Sequence, residues 1–173
     1  IMKGINNTCA NKIKVISPGV ESSWFEVERK TSSGSALLFW GRIEEEKGLR
    51  ELFHALQTVS KTIKDVSLTI VGEGNRLREY KSLVADLSLT DRVEFTGWLC
   101  STKIQNLTAR SSLGIFPSRV ESFGLSVAEA MAAGLPVIAA SGGAVPENIE
   151  QDVTGTLVPV NDADALARAI IFI

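Results

Sequence analysis

Apolar and polar positions follow one another along this chain in blocks of two kinds. Short strand patterns occur at residues 36–40, 67–71, 93–96, 113–116, 136–139 and 155–158, the first of them a continuous apolar run suited to a strand buried on both faces. Between them lie longer stretches whose apolar residues recur every three or four positions, the spacing of one helix face. Leu49, Leu52, Phe53, Leu56 and Val59 predict a helix over 49–61, and Leu77, Tyr80, Val84 and Leu87 one over 76–87. Helices are also predicted over 101–109, 126–133 and 162–173, with a helical turn at 146–149. Gly134 stops the helix before it as a C′ glycine does. A short strand at 12–17 runs into Pro18-Gly19, a turn pair, and 31–35 reads as a flexible loop.

Strands alternating with helices predict an α/β fold with a doubly wound parallel sheet, Rossmann-like. Ligands of such sheets sit beyond the carboxyl ends of the strands. The loops at 41–48, 72–74, 97–99 and 117–125 all fall at such ends.

The last of these loops carries the most chemistry. Glu121 and Glu129 lie eight positions apart across a glycine-containing turn that opens a helix. The first amides of a helix have no internal acceptor, and the dipole adds roughly half a positive charge there. A phosphate gains from both, while carboxylates accept hydrogen bonds from sugar hydroxyls. Such a site suits a ligand that joins phosphate to hydroxyls, as a nucleotide sugar does. The same residues allow a second reading: Ser126 and Glu129 form a capping-box pattern, in which the glutamate is spent on the helix start.

Arg42 directly follows the 36–40 strand, and Lys47 sits at the next helix start. Two cations at a strand's carboxyl end can clamp a diphosphate. They can equally pair with Glu44, Glu45 and Glu46 in a solvated loop. Gly72-Glu-Gly74 begins like a dinucleotide fingerprint but lacks its third glycine, and no P-loop signature exists. The single histidine, His54, lies mid-helix with no G-x-S-x-G nearby, which argues against a serine hydrolase.

Composition narrows the field. The net charge of −2 and pI near 5.5 leave no basic excess for nucleic acid. Cys9 and Cys100 have no metal-ligand or disulfide spacing, which favours reduced thiols, a cytoplasmic setting and no metal site. No run of 18 apolar residues is present, so no transmembrane segment is expected. Both ends fall in mid-pattern, which points to a piece of a longer protein.

Taken in order, several segments resemble one family. They are Ile16-Ser-Pro-Gly-Val20, Gly41-Arg-Ile with Glu46-Lys-Gly48, Leu68-Thr-Ile-Val-Gly-Glu-Gly74, Val93-Glu-Phe-Thr-Gly97, Phe116-Pro-Ser118, Glu121-Ser-Phe-Gly-Leu125 with Glu129-Ala-Met-Ala132, Gly134-Leu-Pro-Val-Ile138, Gly142-Gly143 with Pro146-Glu147, and Thr154-Gly155 with Leu157-Val158. Together they resemble the C-terminal, donor-binding half of a GT-B fold retaining glycosyltransferase, group 1 or family 4, the group of sucrose synthases and bacterial mannosyl- and glucosyltransferases. The resemblance implies that residues 19–173 bind a UDP-, GDP- or ADP-sugar, with no metal or other cofactor. Residues 1–18 would then be a linker or the tail of a preceding domain that holds the acceptor, be it a sugar, a lipid or a small molecule. Peripheral membrane attachment of the longer protein stays open.

By the same resemblance, Arg42 and Lys47 hold the diphosphate and Glu121 lies beside the donor sugar. The amides of Phe123, Gly124 and Leu125 bind sugar hydroxyls or phosphate, and Glu129 takes the ribose. Gly41, Gly72, Gly74 and Trp98 border the base and ribose. Two departures stand out. Ser126 replaces a proline common in the family, and the segment between Gly143 and Pro146 is one residue longer than in many relatives. A non-catalytic nucleotide-sugar module and a GT-B epimerase are the alternative functions.

Overall fold

The computed structural model describes residues 16–30 and 35–173. The strand expected at 12–17 and the loop at 31–35 fall mainly outside the described residues, as do Cys9 and most of 1–18. Six parallel strands form one sheet: β1 (Ala36–Trp40), β2 (Ser67–Val71), β3 (Val93–Gly97), β4 (Leu113–Phe116), β5 (Val137–Ala140) and β6 (Thr156–Val158). Their spatial order is β3-β2-β1-β4-β5-β6. The connecting helices are α1 (Leu49–Thr62), α2 (Leu77–Asp86), α3 (Ser101–Thr108) and α4 (Leu125–Ala132), with α5 (Ala163–Phe172) after β6. The doubly wound expectation holds.

Burial explains the pattern. β4 and β5 are buried along their whole length and β1 from Leu37 onward, which is why these runs contain no polar residue. α1 turns Leu49, Leu52, Phe53, Leu56 and Val59 inward, the face its spacing predicted, and Ala55 completes it. It packs against α2 and α5, while α4 lies on β4, β5 and the 3-10 turn Ser22–Trp24.

The sheet parts where the chain changes direction. β1 pairs with β2 over its full length, Ala36 opposite Ser67 through Trp40 opposite Val71. Against β4 the register covers only Leu37–Leu113 and Leu38–Gly114. Beyond these pairs the β1 and β4 loops leave toward opposite halves of the sheet, the switch point at which doubly wound folds open a crevice.

The start of α4 corrects the capping-box reading. The helix begins at Leu125, and its N-cap is Gly124, in the left-handed region at φ 81°. Ser126 is therefore the second helical residue, no side chain caps this end, and Glu129 is not drawn back to the helix start. By contrast, Asp162 caps α5 by accepting a hydrogen bond from the Ala165 amide at 2.8 Å.

Candidate functional site at the carboxyl ends of the strands

The strand-end loops are joined to one another through their backbones. The Gly41 amide donates to Val71 O at 3.0 Å, the Ile43 amide to Glu73 O at 2.8 Å, and the Gly72 amide to Gly97 O at 2.9 Å. Gly72 has φ 137°, and a Cβ placed there would lie 1.9 Å from Gly41 O. This glycine thus has a structural task of its own, to let the β1 and β2 loops touch.

Lys47 and Glu121 meet across the switch point. Residues Glu45–Lys47 form a 3-10 turn closed by Gly48 in the left-handed conformation, φ 68°. A Cβ on Gly48 would lie 2.0 Å from Pro117 O, so only glycine lets this turn settle on the loop after β4. The Arg119 amide then donates to Glu46 O at 2.7 Å. The turn ends with Lys47 Nζ donating to Glu121 Oε1 at 2.5 Å, with 14% and 21% of the two side chains exposed. Lys47 therefore does not join the solvated pairing with its neighbouring glutamates.

Arg42 does. Its side chain is 74% exposed and reaches Glu46 at 3.4 Å, a surface contact of small energetic weight. Glu45 is tied down elsewhere, to Arg76 and to Arg119 at 3.6 Å. Arg119 also donates to Glu51 at 2.7 Å, and Arg76 donates to Glu79 at 2.6 Å. The side-chain hydrogen bond to Glu79 is the main reason that the Arg76 guanidinium holds its proton above the ordinary arginine value. This charge network braces the β1 loop against α1, α2 and the β4 loop. Arg119 was not among the residues singled out from the sequence, because a lone arginine in a polar loop carries no local signal.

Glu129 has a different partner. Its Oε2 accepts a hydrogen bond from Trp40 Nε1 at 2.9 Å. Trp40 ends β1, stacks on Trp24 at 5.7 Å between ring centroids with 7° between planes, and meets Phe116 edge-on at 4.8 Å. Burial raises the Glu129 carboxyl above its ordinary value, the Trp40 hydrogen bond opposes this, and the nearby charge of Glu21 adds to it. Trp40 also escaped sequence reasoning: a tryptophan closing an apolar run reads as core.

The segment between the glutamates is held on its far side. The Ala144 amide donates to Glu121 O at 2.9 Å, and Asn148 Nδ2 donates to Phe123 O. The amides of Phe123, Gly124 and Leu125 thus lie in the turn that opens α4, whose first amides have no intrahelical acceptor.

A cavity of about 310 Å³ lies at this edge, lined by Trp40, Gly41, Arg42, Gly72, Glu73 and Trp98 among others. Trp98 is 70% exposed at its margin. Two larger cavities lie elsewhere, 680 Å³ between residues 23–30 and α3, and 500 Å³ at the amino ends of β5 and β6. The smaller one is the candidate, because ligands of doubly wound sheets bind at the carboxyl ends. Gly74 is not among its lining residues; a Cβ there would meet Ile43 O at 2.1 Å, so this glycine serves the contact between the β1 and β2 loops.

Residues 20–173 match the sequence model of the glycosyl transferases group 1 family. The chain belongs to that family. This glycosyltransferase domain is 33% identical over 165 residues to glycogen synthase of Mycobacterium tuberculosis, covering 92% of this chain and 39% of the relative. It superposes on Anabaena Alr3699/HepE in complex with UDP with a TM-score of 0.80 at 26% identity, covering 92% of this chain and 47% of that one. The C-terminal domain of the group 1 glycosyl transferase LpcC from Francisella tularensis gives 0.78 at 26% identity, with 89% and 87% covered. The fold is thus the C-terminal half of a GT-B glycosyltransferase, and the chain spans well under half the length of the glycogen synthase it matches. Among the described residues, no helix of this glycosyltransferase domain is long and apolar enough to cross a membrane.

Proposed function

We propose that this domain holds a nucleoside diphosphate sugar at the carboxyl edge of its sheet and that, within a longer protein, it takes part in transferring the hexosyl group to an acceptor with retention. The observation that carries this reading is the meeting of Lys47 and Glu121 beside the N-terminus of α4, at the switch between β1 and β4. A cation, a carboxylate and helix amides along one edge of the sheet match a ligand with both anionic and hydroxyl groups. The UDP complex of the structurally similar Anabaena protein supports the same ligand class.

In this reading the reaction breaks the bond between the anomeric carbon and the diphosphate, and charge builds on the leaving oxygen. Lys47, Arg42 and the amides of Phe123, Gly124 and Leu125 would stabilise that charge in a preorganised site. The sugar becomes oxocarbenium-like as the bond breaks, and Glu121 would orient it. Glu129 would accept from the ribose hydroxyls, and Gly41, Gly72 and Trp98 would border the nucleoside. The diphosphate charge is met here by side chains and helix amides, with no metal or other cofactor assigned. Residues 19–173 would be the donor domain, and the acceptor would be held mainly by a preceding one.

Calorimetric titration of the chain with UDP, GDP and ADP tests the donor site. One of the three is expected to bind. Absence of heat with all three at about 1 mM ligand, where a site worth roughly 4 kcal/mol is half filled, would overturn the reading. Transfer is tested on the full-length protein by acceptor-dependent product and the anomeric configuration of that product; inversion would remove the retaining assignment.

A further inference from the structure

Glu129 is held in an unusual way for a carboxylate half-buried at a sheet edge. No basic side chain pairs with it among the described residues; its one hydrogen-bond donor is the indole of Trp40. Its other oxygen, Oε1, has no protein donor among the described residues and is not among the buried unpartnered oxygens. The side chain therefore has one anchored oxygen and one open one. Trp40 itself has little freedom, being 5% exposed and set between the Trp24 face and the Phe116 edge. Trp24, 1% exposed, reaches it from the turn Ser22–Trp24, which also touches α4.

We propose that Trp40 is a positioning residue for Glu129, seated by Trp24, and that the stacked pair fixes Oε2 so that Oε1 is presented to a ribose hydroxyl. An indole N–H is donor-only, so it orients the carboxylate without competing for the hydroxyl protons. Its donation also favours the ionised carboxylate, which accepts from hydroxyls more strongly than the neutral acid. The ribose contact is thereby set by the last residue of β1 as well as by α4. This inference rests on the nucleotide-sugar reading above and adds to it the residue that sets the geometry of ribose recognition.

The charged group facing Glu129 is Glu21, from the segment before the first turn, and it opposes ionisation. With Trp40 replaced by phenylalanine, nothing named here offsets burial and Glu21. The pH at which ribose recognition is lost must then move upward.

The test compares UDP, GDP or ADP, whichever binds, with its 2′,3′-dideoxy form in the wild type and in Trp40→Phe. The wild type is expected to prefer the ribonucleotide by about tenfold or more, the worth of hydrogen bonds to a charged group. Trp40 also lines the cavity, so the readout is the ratio of the two affinities within each protein: Trp40→Phe should lose most of that preference, and its pH midpoint for ribonucleotide binding should rise. An unchanged preference with an unchanged midpoint would overturn the proposal and leave the donor-site reading intact. No nucleotide binding by the wild type would instead sink the donor-site reading, and this inference with it.

If Trp40→Phe does not fold, the wild type decides by NMR. The chain has three tryptophans and so three indole N–H signals. One of them should titrate with Glu129, lose that titration in Glu129→Gln and shift on nucleotide binding. Three signals insensitive to both Glu129→Gln and nucleotide would overturn the proposal.

Discussion

Lys47 and Glu121, 74 positions apart in sequence, meet at 2.5 Å across the switch between the two halves of the sheet. Both side chains are largely withdrawn from water, so neither tolerates the loss of the other. Lys47→Met and Glu121→Gln should each destabilise the domain by about 3 kcal/mol, the range for leaving a buried charge unpaired. The double variant should cost clearly less than the sum of the two. Urea denaturation of the four proteins measures the coupling; strict additivity would mean that the pair carries no interaction energy.

Arg42 offers the opposite test. Exposed and loosely paired, it should give an Arg42→Ala variant whose stability lies within about 0.5 kcal/mol of the wild type. If it grips a diphosphate, the same change should weaken nucleotide binding by about 1–3 kcal/mol. Calorimetry and thermal melting on one preparation separate the two effects, and unchanged affinity would remove Arg42 from the clamp.

Glu129 gives the stability of the domain a pH dependence of a definite sign. Its folded value is raised above the ordinary glutamate value of 4.5, so the folded state holds the proton more tightly than the unfolded chain. Stability from this group is present below 4.5 and falls as pH rises from there through the folded value. Glu129→Gln, which can still accept from Trp40, should flatten that decline. Melting temperatures compared from about pH 4 to pH 7 should show the wild type losing ground to the variant; parallel curves would show that burial does not penalise the carboxylate.

Gly72 tests the contact between loops. A methyl group there would press on Gly41 O from 1.9 Å. Gly72→Ala is expected to cost about 1–3 kcal/mol, the usual range for overpacking, and to weaken nucleotide binding by shifting Gly41 and Arg42. A variant of native stability and native affinity would mean that the loops accommodate the methyl group freely.

Most of the sheet was legible because buried parallel strands and one-sided helices leave periodic signatures. β1 and α1 lie where their apolar residues put them, and the loops with chemistry fall at the carboxyl ends as the topology requires. Local capping logic failed at α4, where Ser126 and Glu129 spell a capping box and Gly124 starts the helix instead. No pattern in the chain states that Gly124 adopts a left-handed conformation, since its loop is shaped by Glu121 and Asn148 contacts from distant residues. Long-range pairs were equally hidden. That Lys47 pairs with Glu121 rather than with the three glutamates before it follows from the Gly48–Pro117 contact, which exists only once β1 and β4 are neighbours. Trp40 was invisible for another reason: its ring belongs to the core, and only its nitrogen belongs to the site.

The backbone ties among the strand-end loops have a consequence for altering ligand preference. The loops at Gly41, Ile43, Gly72 and Gly97 are stitched in series, and the turn at Gly48 rests on Pro117. Transplanting any one of these loops from a relative would oblige its neighbours to be refitted with it. Trp98 stands outside that stitching as a side chain, projecting into solvent at the cavity margin. Re-engineering toward a different nucleoside should therefore begin at that single rim position, where side chains can be exchanged without unpicking the seam that holds the rest of the crevice in register.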